Sequence, residues 1–264
     1  MNPHDLGFTT PAIAASRGEV RLARAWRHLR RTASAHYRRC GRFALHFARG
    51  KLRHDPVFRA LLASAAIAPG SRVLDIGCGT ALLAALLAEC DVLAAQGRWP
   101  AAWGAAPTGV RYTGIELMAS DVAQANLALG TLPVQPRLIH GDMRHTAFDP
   151  CDVVVVLDVL HYVDPTAQDD VLARIRLALR PGGRLLLRVG DQSQRARFWF
   201  SRWVDWAVTL ARGHRAPPTA WRSLEQWQAA LQRLGFAVRA VPMSRGTPFA
   251  NVLLQCDLGH AVGP

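Results

Sequence analysis

Residues Val73-Leu74-Asp75-Ile76-Gly77-Cys78-Gly79-Thr80 set an apolar run, an acid and two glycines one residue apart directly before Ala81–Ala88, a stretch of Ala and Leu. That succession reads as a strand, a tight turn and a helix start, the opening of a nucleotide-binding βαβ unit. Gly77 and Gly79 permit a sharp turn and a close backbone approach to a ligand. Asp75 restricts which ligand that is. A pyrophosphate at the helix N-terminus would be repelled by this carboxylate, whereas a ligand carrying positive charge would be attracted. The glycine pair alone also describes an ordinary strand-to-helix turn, so its meaning depends on the acids further along the chain.

From Arg72 the pattern alternates strand and helix. Strands are expected at Arg72–Asp75, Val110–Ile115, Val134–His140, Cys151–Leu157, Arg184–Val189, Phe236–Val241 and Asn251–Cys256. Helices are expected at Ala81–Leu93, Ser120–Leu129, Thr166–Leu179 and Ser223–Leu234, with Leu179-Arg180-Pro181-Gly182-Gly183 as a helix end and turn. The β-branched run Val153–Val156 suits a central parallel strand buried on both faces. The sum is an α/β doubly wound, seven-stranded Rossmann-like sheet with an antiparallel last strand. Ahead of it, Arg21–Ala35 and Gly41–Leu52 read as helices, and Asp55-Pro56 as an N-cap with Pro at the first helical position. The expected organisation is a basic N-terminal helical extension or cap over 1–54, then a domain over 55–264 with a helical cap insertion at about 191–222. Gln96–Thr108 reads as an inserted loop.

Two further acids come at strand ends. Glu116 closes the second strand, 37 residues past Gly79, where a carboxylate can accept hydrogen bonds from both ribose hydroxyls. The usual spacing is about 20, and the Gln96–Thr108 loop accounts for most of the excess. Asp142, in Gly141-Asp142-Met143 after the third strand, can accept from an adenine amino group. Acids at all three strand ends, with no phosphate-binding chemistry between them, favour S-adenosylmethionine, whose ammonium and sulfonium are cationic.

The ordered set VLDIGCGT, GIE, GDM, VVVVLDVLHYV and LRPGGRLLLRV resembles the class I S-adenosylmethionine-dependent methyltransferases over roughly residues 55–190. The resemblance implies a cofactor across the carboxyl ends of the first four strands. The residues in contact would be Asp75, Gly77, Cys78, Gly79, Glu116, Leu117, Asp142, Met143 and Asp158. Ala81 stands where a third glycine is common. A narrower similarity, on FARGKLRHDPVF (47–58), GIELM (114–118) and GTPFANVLL (246–254), is to methyltransferases of bacterial aryl polyene or xanthomonadin-type pigment clusters. It implies methylation of an aryl or aryl-polyene intermediate, with an acidic acyl carrier protein as a partner that could present it.

Charge is uneven. The chain carries a formal +13, and thirteen Arg or Lys against Glu19 and Asp55 place most of it between Arg17 and Arg59. Such a segment either contacts something acidic (a membrane surface, nucleic acid, a carrier protein) or is a solvated helix face. Five cysteines without C-x-x-C spacing argue against a disulfide framework or a zinc site and fit a reducing cytoplasm. No apolar run reaches the about 18–20 residues of a membrane span, and Met1–Gly18 does not read as a signal peptide. The expectation is a cytoplasmic protein, soluble or peripheral at the inner membrane face, with no metal.

For the reacting group, His161 in Leu157-Asp158-Val159-Leu160-His161-Tyr162 lies just past the fourth strand, where sites of this fold form. As a general base it would help deprotonate a phenol of pKa near 10; a structural or cofactor-contact role is the other reading. His214 in the long segment after Val189 is the second candidate, and Tyr37, His46 and Tyr162 are weaker ones. Trp199, Trp203, Trp206 and Leu210 recur at one face of a helix, which either packs on the core, walls an aromatic pocket or rests on a membrane interface. Three functions are compatible with these features: a small-molecule methyltransferase, an RNA methyltransferase, or a non-catalytic membrane- or carrier-binding scaffold. Against RNA, no Asn-Pro-Pro-Tyr-like element succeeds the fourth strand and no RNA-binding module is visible. Against a scaffold, the acids at 75, 116 and 142 are intact.

Overall fold

The computed structural model describes residues 16–190, 222–243 and 251–259. Three helices come first: α1 (Arg17–Ala35), opened by a Ser16–Glu19 capping box, α2 (Arg42–His54) and α3 (Pro56–Ala63). Asp55 caps α3 by accepting from the Val57 amide at 3.1 Å, and Pro56 opens it, as the Asp-Pro pair indicates.

Strands and helices then alternate: β1 (Arg72–Ile76), α4 (Leu82–Ala95), β2 (Arg111–Glu116), α5 (Ala119–Leu129), β3 (Arg137–His140), β4 (Cys151–Leu157), α6 (Pro165–Ala178), β5 (Leu179–Gly190), α7 (Leu224–Arg233), β6 (Phe236–Pro242) and β7 (Asn251–Leu258). The seven strands lie in the order β3-β2-β1-β4-β5-β7-β6. The first five are parallel, and β7 runs antiparallel between β5 and β6. The order reverses between β1 and β4, so a crevice opens at their carboxyl ends.

The period of two along each strand divides the core. Val153 and Val155 face α4, α5 and the N-terminal helices. Val154 and Val156 face α6 and α7. Leu29, Ala33, Tyr37, Ala48 and Leu52 are fully buried in the same core as Leu86 and Val155, so the N-terminal helices share the domain's interior.

One expectation about local structure is corrected and two are refined. β3 begins at Arg137 rather than Val134; Pro136 lacks the amide a ladder needs, and Val134 is exposed. Leu179 is the C-cap of α6 and Gly182 turns at φ +77°, as the sequence indicates, and the same residues are also the irregular start of β5. Leu179 pairs with Cys151 and Arg184 with Val153, so a bulge absorbs the intervening residues. The Gln96–Thr108 insertion is a loop with one 3₁₀ turn, Ala101–Trp103, and it is anchored: Trp103 enters the core and meets Trp99 edge to face at 5.4 Å.

Candidate active site

Asp75, next to last in β1, lies on the face that carries Val73, which buries its carboxylate almost completely. Tyr112 of β2 donates its hydroxyl to Asp75 Oδ2 at 2.5 Å. Burial pushes the Asp75 carboxyl up to about 7, against the Tyr112 hydrogen bond, and Glu116 adds to the rise. A cation arriving here would find a carboxyl poised to ionise.

Beyond Asp75 the chain turns. Gly77 sits at φ +72°, and a Cβ there would lie 2.4 Å from Val159 Cγ1 of the β4 loop. The turn is tied to the end of β2. Gly77 donates its amide to the Ile115 carbonyl at 2.8 Å, and Gly79 donates to Glu116 Oε2 at 2.8 Å. The other Glu116 oxygen accepts from the Met118 amide at 2.9 Å. Gly114 keeps this joint close, because a Cβ there would meet Cys78 Sγ at 2.6 Å. Burial pushes the Cys78 thiol up, away from thiolate chemistry. Ala81 holds φ +57° as the N-cap of α4, a left-handed conformation that the glycine usual at this place would adopt without strain.

Leu117 projects beside Glu116 and is half exposed. Across from it, Asp142 is held by Arg144, whose Nη2 lies 2.6 Å from Oδ2 and whose amide donates to Oδ1 at 2.9 Å. The Arg144 bond keeps the Asp142 carboxyl below its ordinary range. Arg174 of α6 staples this loop, donating to the carbonyls of Met143 at 2.8 Å and Arg144 at 2.9 Å.

A family model described as a methyltransferase domain matches residues 44–241, well over half of the chain. The chain belongs to this methyltransferase domain family. Among curated relatives, the carboxy-S-adenosyl-L-methionine synthase of Pseudomonas syringae pv. tomato is 40% identical over 143 residues, covering 50% of this chain and 57% of that protein. The protein of the same name from Chromohalobacter salexigens is 31% identical over 120 residues, covering 45% of this chain and 39% of that protein. The chain thus spans about half the length of the curated relatives it matches. Solved structures agree on the fold. Mitomycin 7-O-methyltransferase MmcR superposes with a TM-score of 0.54 at 20% identity, covering 92% of this chain and 69% of that one. Magnesium protoporphyrin IX methyltransferase from Synechocystis, solved with bound SAH, superposes with a TM-score of 0.52 at 19% identity, covering 90% and 94%.

In this methyltransferase-family chain the end of β4 carries a buried ion network. Asp158, at φ +58°, accepts from Arg188 Nε at 2.9 Å. Arg188 is 2% exposed and also donates Nη2 to Asp55 Oδ2 at 2.8 Å; Lys51 completes the set, 2.9 Å from the same oxygen. Although burial opposes ionisation, Arg188 and Lys51 hold the Asp55 carboxyl well below the usual range. Asp158 is therefore turned to Arg188 here, with its side chain about one-third exposed.

His161 lies on a 3₁₀ turn, Leu160–Tyr162, 4.3 Å ring to ring from Tyr162. It borders a small pocket with Leu160, Arg188, Gly190, Arg222 and Trp227. Burial pushes the His161 imidazole down to about 4, opposed by Asp158, so the ring is neutral at pH 7. Tyr37 is a structural strut: it is fully buried and donates to the Thr80 carbonyl at 2.6 Å, pinning the N-terminal helices to the glycine turn. His46 is exposed on α2. His214, the Trp199–Leu210 helix and Gly246–Ala250 lie outside the described residues.

Sequence reasoning missed Tyr112, Arg174 and Arg188. One signal was present for Arg188: in Arg184-Leu-Leu-Leu-Arg188-Val it shares the inward face of Leu186, and an arginine on a buried face requires carboxylate partners.

Proposed function

We propose that the chain transfers a methyl group from S-adenosylmethionine to a small aromatic or aryl-polyene acceptor, at oxygen in preference to carbon. The observation that carries this reading is the pair of buried acids, Asp75 and Glu116, at neighbouring strand ends. Among the described residues neither acid has a cationic partner. That donor set fits the cofactor. Asp75 faces the place of its ammonium, and Glu116 can exchange backbone amides for ribose hydroxyls. Leu117 and Met143 offer apolar edges to adenine. Asp142 has lone pairs left after Arg144 for the amino group.

When bound, the cofactor supplies an electrophilic methyl on sulfur, and the chain's task is to hold an acceptor in line with it. A neutral His161 beside Trp227 can accept a hydrogen bond from an acceptor hydroxyl and orient it. With an imidazole near 4 it is a poor match, in this state, for taking the proton of a phenol. An aromatic acceptor is supported by Trp227 and the nearby arginines of the pocket and by the likeness to pigment-cluster methyltransferases.

The test is incubation with S-adenosylmethionine and a panel of hydroxyaryl acids, free and as acyl carrier protein thioesters, read by mass. A gain of one methyl on an acceptor is expected. No methylated acceptor, methylation of added total RNA instead, or a mass gain on the cofactor itself, as the relatives' name would predict, would each overturn the proposal.

A further inference from the structure

The outward faces of α1 and α2 take no part in that chemistry, and they concentrate charge. Along α1, Arg24, Arg27 and Arg31 are exposed, while Ala25, Leu29 and Ala33 on the opposite side are buried. Along α2, Arg42, Arg49 and Arg53 are exposed, while Ala44, Ala48 and Leu52 are buried. The two stripes adjoin. Arg30 of α1, its charge disfavoured first by burial, is also repelled by Arg53 of α2 and Arg27 of its own helix. Among the described residues these six exposed arginines have no ion-pair partner, in contrast to Lys51, which pairs with Asp55. A surface of adjacent, uncompensated guanidinium groups repels itself and is relieved by an anion array.

Phe43 flanks the arginine stripe of α2, one residue on from Arg42, and is 85% exposed, and Val20 of α1 is 49% exposed. A purely electrostatic face has no use for an exposed phenyl ring. A bilayer does: arginines meet lipid phosphates while an aromatic ring enters the boundary between headgroups and acyl chains. We infer that the Arg and Phe43 face of α1 and α2 seats the protein on an anionic lipid surface. The lipid contact is peripheral, since no helix among the described residues is long and apolar enough to cross a membrane. It stands whatever the acceptor is. The other side of α2 is joined to the pocket edge through Lys51, Asp55 and Arg188, so a chain seated this way holds its acceptor pocket in a fixed relation to the bilayer.

The experiment is flotation of the full chain with vesicles of equal parts phosphatidylglycerol and phosphatidylcholine, with phosphatidylcholine vesicles alone, and with total RNA as competitor. Co-flotation with the anionic vesicles only is expected, weakening as salt shortens the screening length to about 8–10 Å. Charge reversal in Arg27→Glu/Arg31→Glu/Arg49→Glu should lower the partition coefficient about a hundredfold or more. Phe43→Ser should lower it by about tenfold at unchanged salt dependence. Both variants should keep wild-type affinity for S-adenosylhomocysteine, which shows that they fold. No binding to anionic vesicles, equal binding to phosphatidylcholine, or displacement by RNA at matched phosphate concentration would overturn the inference. So would a Phe43→Ser variant that partitions like wild type.

Discussion

Arg188 reaches Asp55 with an Nη2–Oδ2 distance of 2.8 Å although the two residues lie 133 positions apart. The same guanidinium holds Asp158, so one arginine ties the cap of α3 to the loop after β4. Replacing it by methionine keeps volume but leaves two carboxylates around a desolvated side chain. Arg188→Met should destabilise the fold by about 3–5 kcal/mol, read as a lower urea midpoint at unchanged slope. The sign of the pH effect comes from Asp55. Its folded-state pKa is depressed, so the stability it contributes is present above the unfolded value of 3.8 and is lost as pH falls through the folded value. The gap between wild type and variant should therefore narrow below pH 4.

Asp75 titrates in the opposite sense. Its folded pKa is raised to about 7 from 3.8, so in the cofactor-free protein its contribution is fully present below 3.8 and is lost as pH rises to 7. A cationic ligand drives the carboxyl to ionise. Binding of S-adenosylmethionine at pH 6.5 should then release a proton, and affinity should rise between pH 6 and 8. Calorimetry in buffers of different ionisation enthalpy reads the proton directly. Asp75→Asn should abolish the release, and an unchanged proton count in that variant would remove Asp75 from the cofactor site.

Glu116 bonds the Gly79 and Met118 amides. Glu116→Ala should weaken S-adenosylhomocysteine binding by about 1–3 kcal/mol, the cost of leaving polar partners unmatched. Glu116→Gln, which retains one acceptor, should fall between. Titration calorimetry at pH 8, where Asp75 is ionised, separates the two acids.

His161→Ala should lower kcat by about five- to a hundredfold through loss of an orienting hydrogen bond, with cofactor affinity nearly unchanged. With the ring near 4, kcat should show no histidine inflection between pH 5 and 8. An inflection near 6.5 that vanishes in the variant would restore the general-base role, with a loss nearer 10²–10⁴-fold. Stability gives an independent reading. Between pH 6.5 and about 4 the unfolded chain protonates this histidine and the folded chain does not, so wild type should lose stability over that window and His161→Gln should lose less.

The strand-turn-helix at Val73–Ala88, the acids at 75 and 116 and the seven strands were legible in the sequence, because each depends on neighbours: periods of two, glycine turns, caps one or two residues away. Local signals misplaced the start of β3, where a proline alters the ladder, and gave no sign that the turn after α6 already pairs in β5. They also gave no sign that Trp103 of the inserted loop enters the core. What only the tertiary structure decided is the company each charged group keeps. Asp75 gains its high pKa from burial, against the Tyr112 hydrogen bond, Asp158 turns to Arg188, and Arg188 meets Asp55 from 133 positions away. Spacing along the chain sets where a side chain leaves the backbone. Which side chain it meets, and how much water remains around the pair, is settled only when strands and helices far apart in sequence close on one core.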